Sequence, residues 1–135
     1  MKKLSMVAGG RELTLRYTVQ VMCDAEEAYG SIGKLMDRMG GSDRPMQAAL
    51  DMISYMANAG EKHAGREADI TPEWLRANLS PKQLQEARVL CIQAQMVGMH
   101  RECAEDDDKE VDAVLAEIQK KSDAEKAEAK QQPDA

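Results

Sequence analysis

Apolar residues along this chain change their spacing once, early, and the change separates two kinds of structure. In Leu13-Thr14-Leu15-Arg16-Tyr17 every second residue is apolar, which is the period of a half-buried strand. Leu4 to Ala8 supplies a partner strand. Gly9-Gly10 lies between them, and paired glycines tolerate the positive φ angles of a tight connection, so the pattern predicts an N-terminal β-hairpin. From Thr18 onward the spacing is helical. Thr18 caps a first helix whose Val21, Met22, Ala25, Ala28 and Tyr29 recur at three- and four-residue intervals, and Gly30 suits a left-handed end. A short helix after Ser31 carries Leu35, Met36 and Met39 on one side and stops at Gly40-Gly41. After Ser42-Asp43-Arg44-Pro45, the residues Met46, Ala49, Leu50, Ile53, Met56, Ala57 and Gly60 fall along one stripe. The stretch Glu61 to Glu67 has no apolar period and reads as a surface connection.

Two helices headed by proline follow. Thr71-Pro72-Glu73 combines a cap, a residue pre-set for the first helical position and an acid near the positive end of the dipole, with Trp74, Leu75 and Leu79 facing inward. Ser80-Pro81 repeats the device and opens the longest helix, which runs to about Cys103. That helix has two apolar faces. Leu84, Ala87, Cys91, Ala94 and Gly98 line one, joined by Leu90 and Val97, while Val89, Ile92, Met96, Met99 and Cys103 follow a separate three-four repeat. Arg88, Gln95 and Glu102 part the stripes on one side, and Glu86, Gln93 and His100 on the other. A helix with two stripes meets two neighbours. The acidic run Glu105 to Asp108 is solvated, and Val111, Val114, Leu115 and Ile118 then make the narrow stripe of a last short helix. Beyond Lys120 the chain is too polar to offset the entropy of ordering. The expected fold class is mainly α (α+β), an N-terminal β-hairpin packed on a bundle of about five helices. Residues 1–104 form the hairpin and helical domain, 105–120 an acidic linker and amphipathic helix, and 121–135 a polar, disordered tail.

Composition changes this picture in two ways. Aromatic residues are 3% of the chain, with no Phe and ten Met, so Ala, Leu, Val, Ile and flexible Met fill the core and make it adaptable. The net charge of -6 and the lack of a dense basic run argue against a nucleic-acid surface, whose affinity comes from clustered Lys and Arg. The apolar runs fall far short of the roughly twenty residues that span a bilayer, and Met1-Lys2-Lys3-Leu4 lacks the apolar stretch of a secretory signal. A soluble, cytoplasmic protein that is not secreted is expected. Cys23, Cys91 and Cys103, odd in number and in helical segments, read as reduced, buried thiols.

Each candidate for chemistry fails on context. His100 and Cys103 share a helix with Cys91, but zinc sites draw on paired knuckles such as two Cys-x-x-Cys units. Asp106 to Asp108 lack the alternating ligands and central Gly of an EF-hand loop. Glu26 and Glu27 point to different sides of their helix and cannot oppose each other as acid and base. No phosphate-binding Gly-Lys-Ser or Gly-Lys-Thr and no Gly-x-Ser-x-Gly occurs. The expectation is therefore no enzyme, with no catalytic residue, metal or cofactor. What remains is surface for partners: Ile92, Met96, Met99 and Cys103, together with Val111, Val114, Leu115 and Ile118, either receive another helix or pack on each other inside one bundle. Two alternatives stand beside this. Arg38 and Arg44 near the Gly40-Gly41 turn lean toward a small helical regulator associated with DNA, and Cys91, His100 and Cys103 toward a metal-binding or enzymatic protein.

The order of elements resembles that of the tail assembly chaperones of long-tailed bacteriophages. Gly10-Arg11-Glu12-Leu13-Thr14-Leu15-Arg16-Tyr17 is similar to the glycine and strand of their opening hairpin. Ala25-Glu26-Glu27-Ala28-Tyr29-Gly30 resembles their acidic-aromatic-Gly helix end, and Ile70-Thr71-Pro72-Glu73-Trp74-Leu75 a later Thr-Pro-Glu start after a long helix. The likeness covers most of Leu4 to Cys103 and is one of pattern and order. It implies a non-enzymatic protein of a phage or prophage that coats the tape measure protein and helps recruit tail tube subunits. It leaves a homo-oligomer open. The family's frameshift-extended forms make the charged tail after Lys120 compatible with a short form. The Met-rich composition and the acidic run after Cys103 are not family signatures. The hairpin edge is a candidate for tail-tube contact, in which case Pro at Thr14 or Arg16 would abolish it.

Overall fold

A computed structural model describes residues 4–104 together with Ala116 and Lys120. The stripe of Val111, Val114, Leu115 and Ile118, the acidic run from Glu105 and the polar tail lie outside the described residues. Strands β1 (Ser5–Ala8) and β2 (Arg11–Thr14) pair antiparallel, with Ser5 opposite Thr14 and Ala8 opposite Arg11. Gly9 and Gly10 join them at φ 56° and 77°, the left-handed backbone on which a two-residue connection follows the natural twist of the strands. Five helices follow among the described residues: α1 (Val19–Tyr29), α2 (Ile32–Met39), α3 (Pro45–His63), α4 (Pro72–Asn78) and α5 (Pro81–Met99). The chain is thus mainly helical with a two-stranded hairpin packed against the helices, as the spacing predicts.

The helix starts fall where the sequence places them. Thr18, Ser31, Thr71 and Ser80 each accept a hydrogen bond from a backbone N–H in the first turn, which satisfies a donor that would otherwise have no partner. At Ser80 the bond is reciprocal, because the Gln83 side chain accepts from the Ser80 N–H.

α3 differs from its expected form in two respects. Met46, placed on the apolar stripe, is 44% exposed, whereas Ala48, Met52, Ser54 and Ala59 off the stripe are buried. The reason is position: α3 touches α1, α2, α4, α5 and β2 and is buried on most of its circumference, and its alanines let the neighbours close in. It also runs on to His63, into the first part of the stretch expected to be a surface connection, and Glu61 there is buried. The Glu61 carboxylate accepts from Arg11 Nη2 at 3.1 Å and from Arg66 Nε and Nη2 at 3.0 and 3.2 Å. Paired in this way a carboxylate can leave water. Helical periodicity along α3 cannot reveal it, because the partners come from β2 and from the loop after α3.

Two glycines set how closely the helices approach the segment after β2. A Cβ at Gly60 would lie 1.9 Å from the Thr14 carbonyl oxygen, and one at Gly98 would lie 2.7 Å from the Cβ and the carbonyl oxygen of Tyr17. The Arg16 N–H donates to the Met56 carbonyl at 3.1 Å. At Thr14 and Arg16 the chain therefore lies against α3, so Pro at either would disturb packing there as well as any contact made by the hairpin edge. Along β1 the neighbour is α5, from which Gln83 Nε2 donates to the Val7 carbonyl at 3.1 Å.

α5 ends at Met99, short of the expected Cys103. Beyond it Arg101 Nη1 donates to the Tyr17 carbonyl at 2.9 Å, and the buried Arg16 sends Nη2 to the Ala104 carbonyl at 2.8 Å. These bonds favour a turn over a further turn of helix. No helix among the described residues is long and apolar enough to cross a membrane.

Candidate functional site

α5 presents the two apolar faces read from its sequence, and they have opposite fates. Ala87, Cys91, Ala94 and Val97 are buried, and Leu84 and Leu90 pack partly against the core. On the other face Val89 is 58%, Ile92 48% and Met99 73% exposed; Met96 between them is half-buried, and Cys103 beyond the helix end is exposed. Three of the predicted binding residues, Ile92, Met96 and Met99, thus share one face of α5, and Cys103 lies beyond its end. Val111, Val114, Leu115 and Ile118 are outside the described residues, and no described element covers the stripe.

The face is held rigid from both ends. Its N-terminal end is fixed by the Ser80–Gln83 cap and the bond from Gln83 to the hairpin. Midway, Arg88 Nη2 donates to the Met39 carbonyl at 2.7 Å and ties α5 to the end of α2. At the C-terminal end, Gly98 sits against Tyr17 and Arg101 bonds the Tyr17 carbonyl. Sequence reading did not single out Val19, which is 73% exposed. It opens α1 two residues after Tyr17. The signal for it was present, because Val19 falls outside the stripe that faces the core from α1.

The residues proposed for chemistry are placed apart by burial. Cys91 is on the core face, and desolvation pushes its thiol up to about 12, leaving almost no thiolate to act as nucleophile or ligand at neutral pH. His100 and Cys103 are exposed. Among the described residues no group of three or more His, Cys, Asp or Glu could hold a metal ion. The expectation of buried thiols is met by Cys91 alone, since Cys23 and Cys103 are at the surface. Their helical periodicity misled because Cys23 falls off the buried Val21–Ala25 side of α1 and Cys103 lies past the end of α5.

Arg38 and Arg44, the residues leaning toward nucleic acid, share one acid. Arg44 Nε is 3.1 Å and Arg38 Nη2 3.6 Å from the Asp43 carboxylate, and the Arg38 guanidinium also lies 5.3 Å from the centre of the Tyr29 ring. An open depression of about 490 Å³ beside them is lined by Lys34 and Arg38 but also by Asp37 and Asp43. Mixed charge of this kind does not concentrate the positive potential that phosphates need.

No protein-family model, no curated protein and no solved structure matches this chain.

Proposed function

We propose that the chain is a non-enzymatic helix-binding protein of the assembly-chaperone class, working through the outer face of α5. Within that class the tail assembly chaperone of a long-tailed phage or prophage fits best. Its clients would be the tape measure protein and the tail tube protein in the cytoplasm of the host bacterium. The observation that carries the reading is the three-four stripe of exposed Val89, Ile92 and Met99 with half-buried Met96, on a helix anchored at both ends. Amphipathic helices dock into such surfaces through apolar residues at that spacing. A tape measure protein offers long helical stripes of varied sequence, and unbranched Met side chains can adjust to many of them. The order of hairpin, acidic-aromatic-Gly helix end and Thr-Pro-Glu start supports the same family.

The test is co-expression with a tape measure protein that is insoluble alone. Wild-type chain should bring it into the soluble fraction, and Ile92→Lys should lose that effect while keeping its own helical circular dichroism. Retention of the effect by Ile92→Lys would move the binding face elsewhere. Failure of the wild-type chain to bring tape measure proteins into solution would remove the proposal.

A further inference from the structure

The polar residues that flank the α5 stripe are themselves arranged in a pattern. Val89, Ile92, Met96 and Met99 occupy alternating a and d positions of a heptad, the narrow seam of a two-helix coiled coil rather than the broad face of a globular helix. Arg88 and Gln95 then fall at g, and Glu86, Gln93 and the C-cap residue His100 at e, while Glu102 lies beyond the helix end. In an antiparallel pair of such helices, a meets d, e meets e and g meets g across the seam.

We propose that a second copy of this chain covers the seam, α5 against α5 and antiparallel. In one register Val89 packs on Met99 of the other copy and Ile92 on Met96. That same register sets Glu86 opposite His100, and Gln93 and Gln95 each opposite their own equivalents. The flanking contacts within the helix and its C-cap are then acid with imidazole or amide with amide, and the Glu86–His100 contact occurs twice by symmetry. The parallel arrangement sets Arg88 against Gln93 and Gln95 against His100, and makes no acid–base pair within the helix. Charge complementarity therefore selects both the occupant and its direction. Glu86 and His100 are exposed and so reach a partner without disturbing the core. Lys82 and Gln85 continue the a and d positions toward the start of α5, and their polarity limits the seam to the stretch from Val89 to Met99. The inference rests on the α5 face being a helix-docking surface: the second copy is its resting occupant, and a client helix competes for the same seam.

Sedimentation equilibrium of the full chain tests this. The wild type should sediment as a dimer at micromolar concentration and Met99→Glu as a monomer with unchanged helical signal. Glu86→Lys and His100→Glu should each weaken association about tenfold, by replacing an attractive contact with a poorer or repulsive one twice per dimer. The double variant Glu86→Lys, His100→Glu should recover most of the loss, because the pair is restored with its charges exchanged. A monomeric wild type at a hundred micromolar, a dimer that survives Met99→Glu, or a double variant no tighter than the single ones would overturn the proposal. A monomer that still solubilises a tape measure protein sinks the pairing and spares the function. A dimer that solubilises none does the reverse.

Discussion

Replacing Glu61 by Gln keeps the size of the side chain and removes the charge that Arg11 and Arg66 share. Both arginines are partly exposed, at 37% and 57%, and stay hydrated after the change. The cost at neutral pH is therefore that of weakened charged hydrogen bonds, on the order of 1–3 kcal/mol, read as a lower urea midpoint. The pH dependence has a definite sign. Hydrogen bonds from Arg66 lower the Glu61 carboxyl most, burial opposes them, and Arg11 adds to the lowering. A carboxyl depressed in the folded state contributes stability that is complete above its unfolded value, near 4.5, and is lost as the pH falls through the folded value. Unfolding free energy should fall on acidification below about pH 4.5, and less steeply in Glu61→Gln. The cysteines offer a second check at this scale. Brief alkylation of the native protein should label Cys23 and Cys103 and spare Cys91, whose thiol is buried and pushed up to about 12. In urea all three should label, as read by mass spectrometry.

At the scale of elements, α5 depends on its first turn. Ser80→Ala removes one half of the reciprocal cap, which costs about 1 kcal/mol and loosens the Gln83 side chain that holds the Val7 carbonyl. Thermal denaturation followed at 222 nm should show the loss, and Ser80→Asp should restore most of it. The caps were legible in the sequence because their signals are local: Thr18, Ser31, Thr71 and Ser80 each stand next to the helix they open. The two-faced nature of α5 was legible too, since both stripes obey one helical period. Which stripe would be buried was not. That depends on Gly98 meeting Tyr17 and Gln83 meeting the hairpin, contacts between residues distant in sequence. The buried length of α3 was hidden for the same reason, because Glu61 resembles a surface acid until Arg11 and Arg66 are brought beside it. Met46 erred in the other direction, apolar and in phase yet in the first turn of the helix, where it stays 44% exposed.

For the whole molecule the organising fact is that α3 lies among the other elements. Its amides should be the slowest to exchange with deuterium, approaching the rate of global unfolding, while those of α2 and of the Gly9-Gly10 turn should exchange sooner. Faster exchange in α3 than in α1 would contradict its central place. Residues Thr14 to Tyr17 lie against α3 through Gly60 and Met56 on one side, and against α5 through Gly98 on the other. These four residues act as a keyed shim between the central helix and α5. Lengthening the shim by a single residue would leave both helices individually intact yet set α5 at a different height, so the pitch of its outer face is written in the spacing of an N-terminal segment.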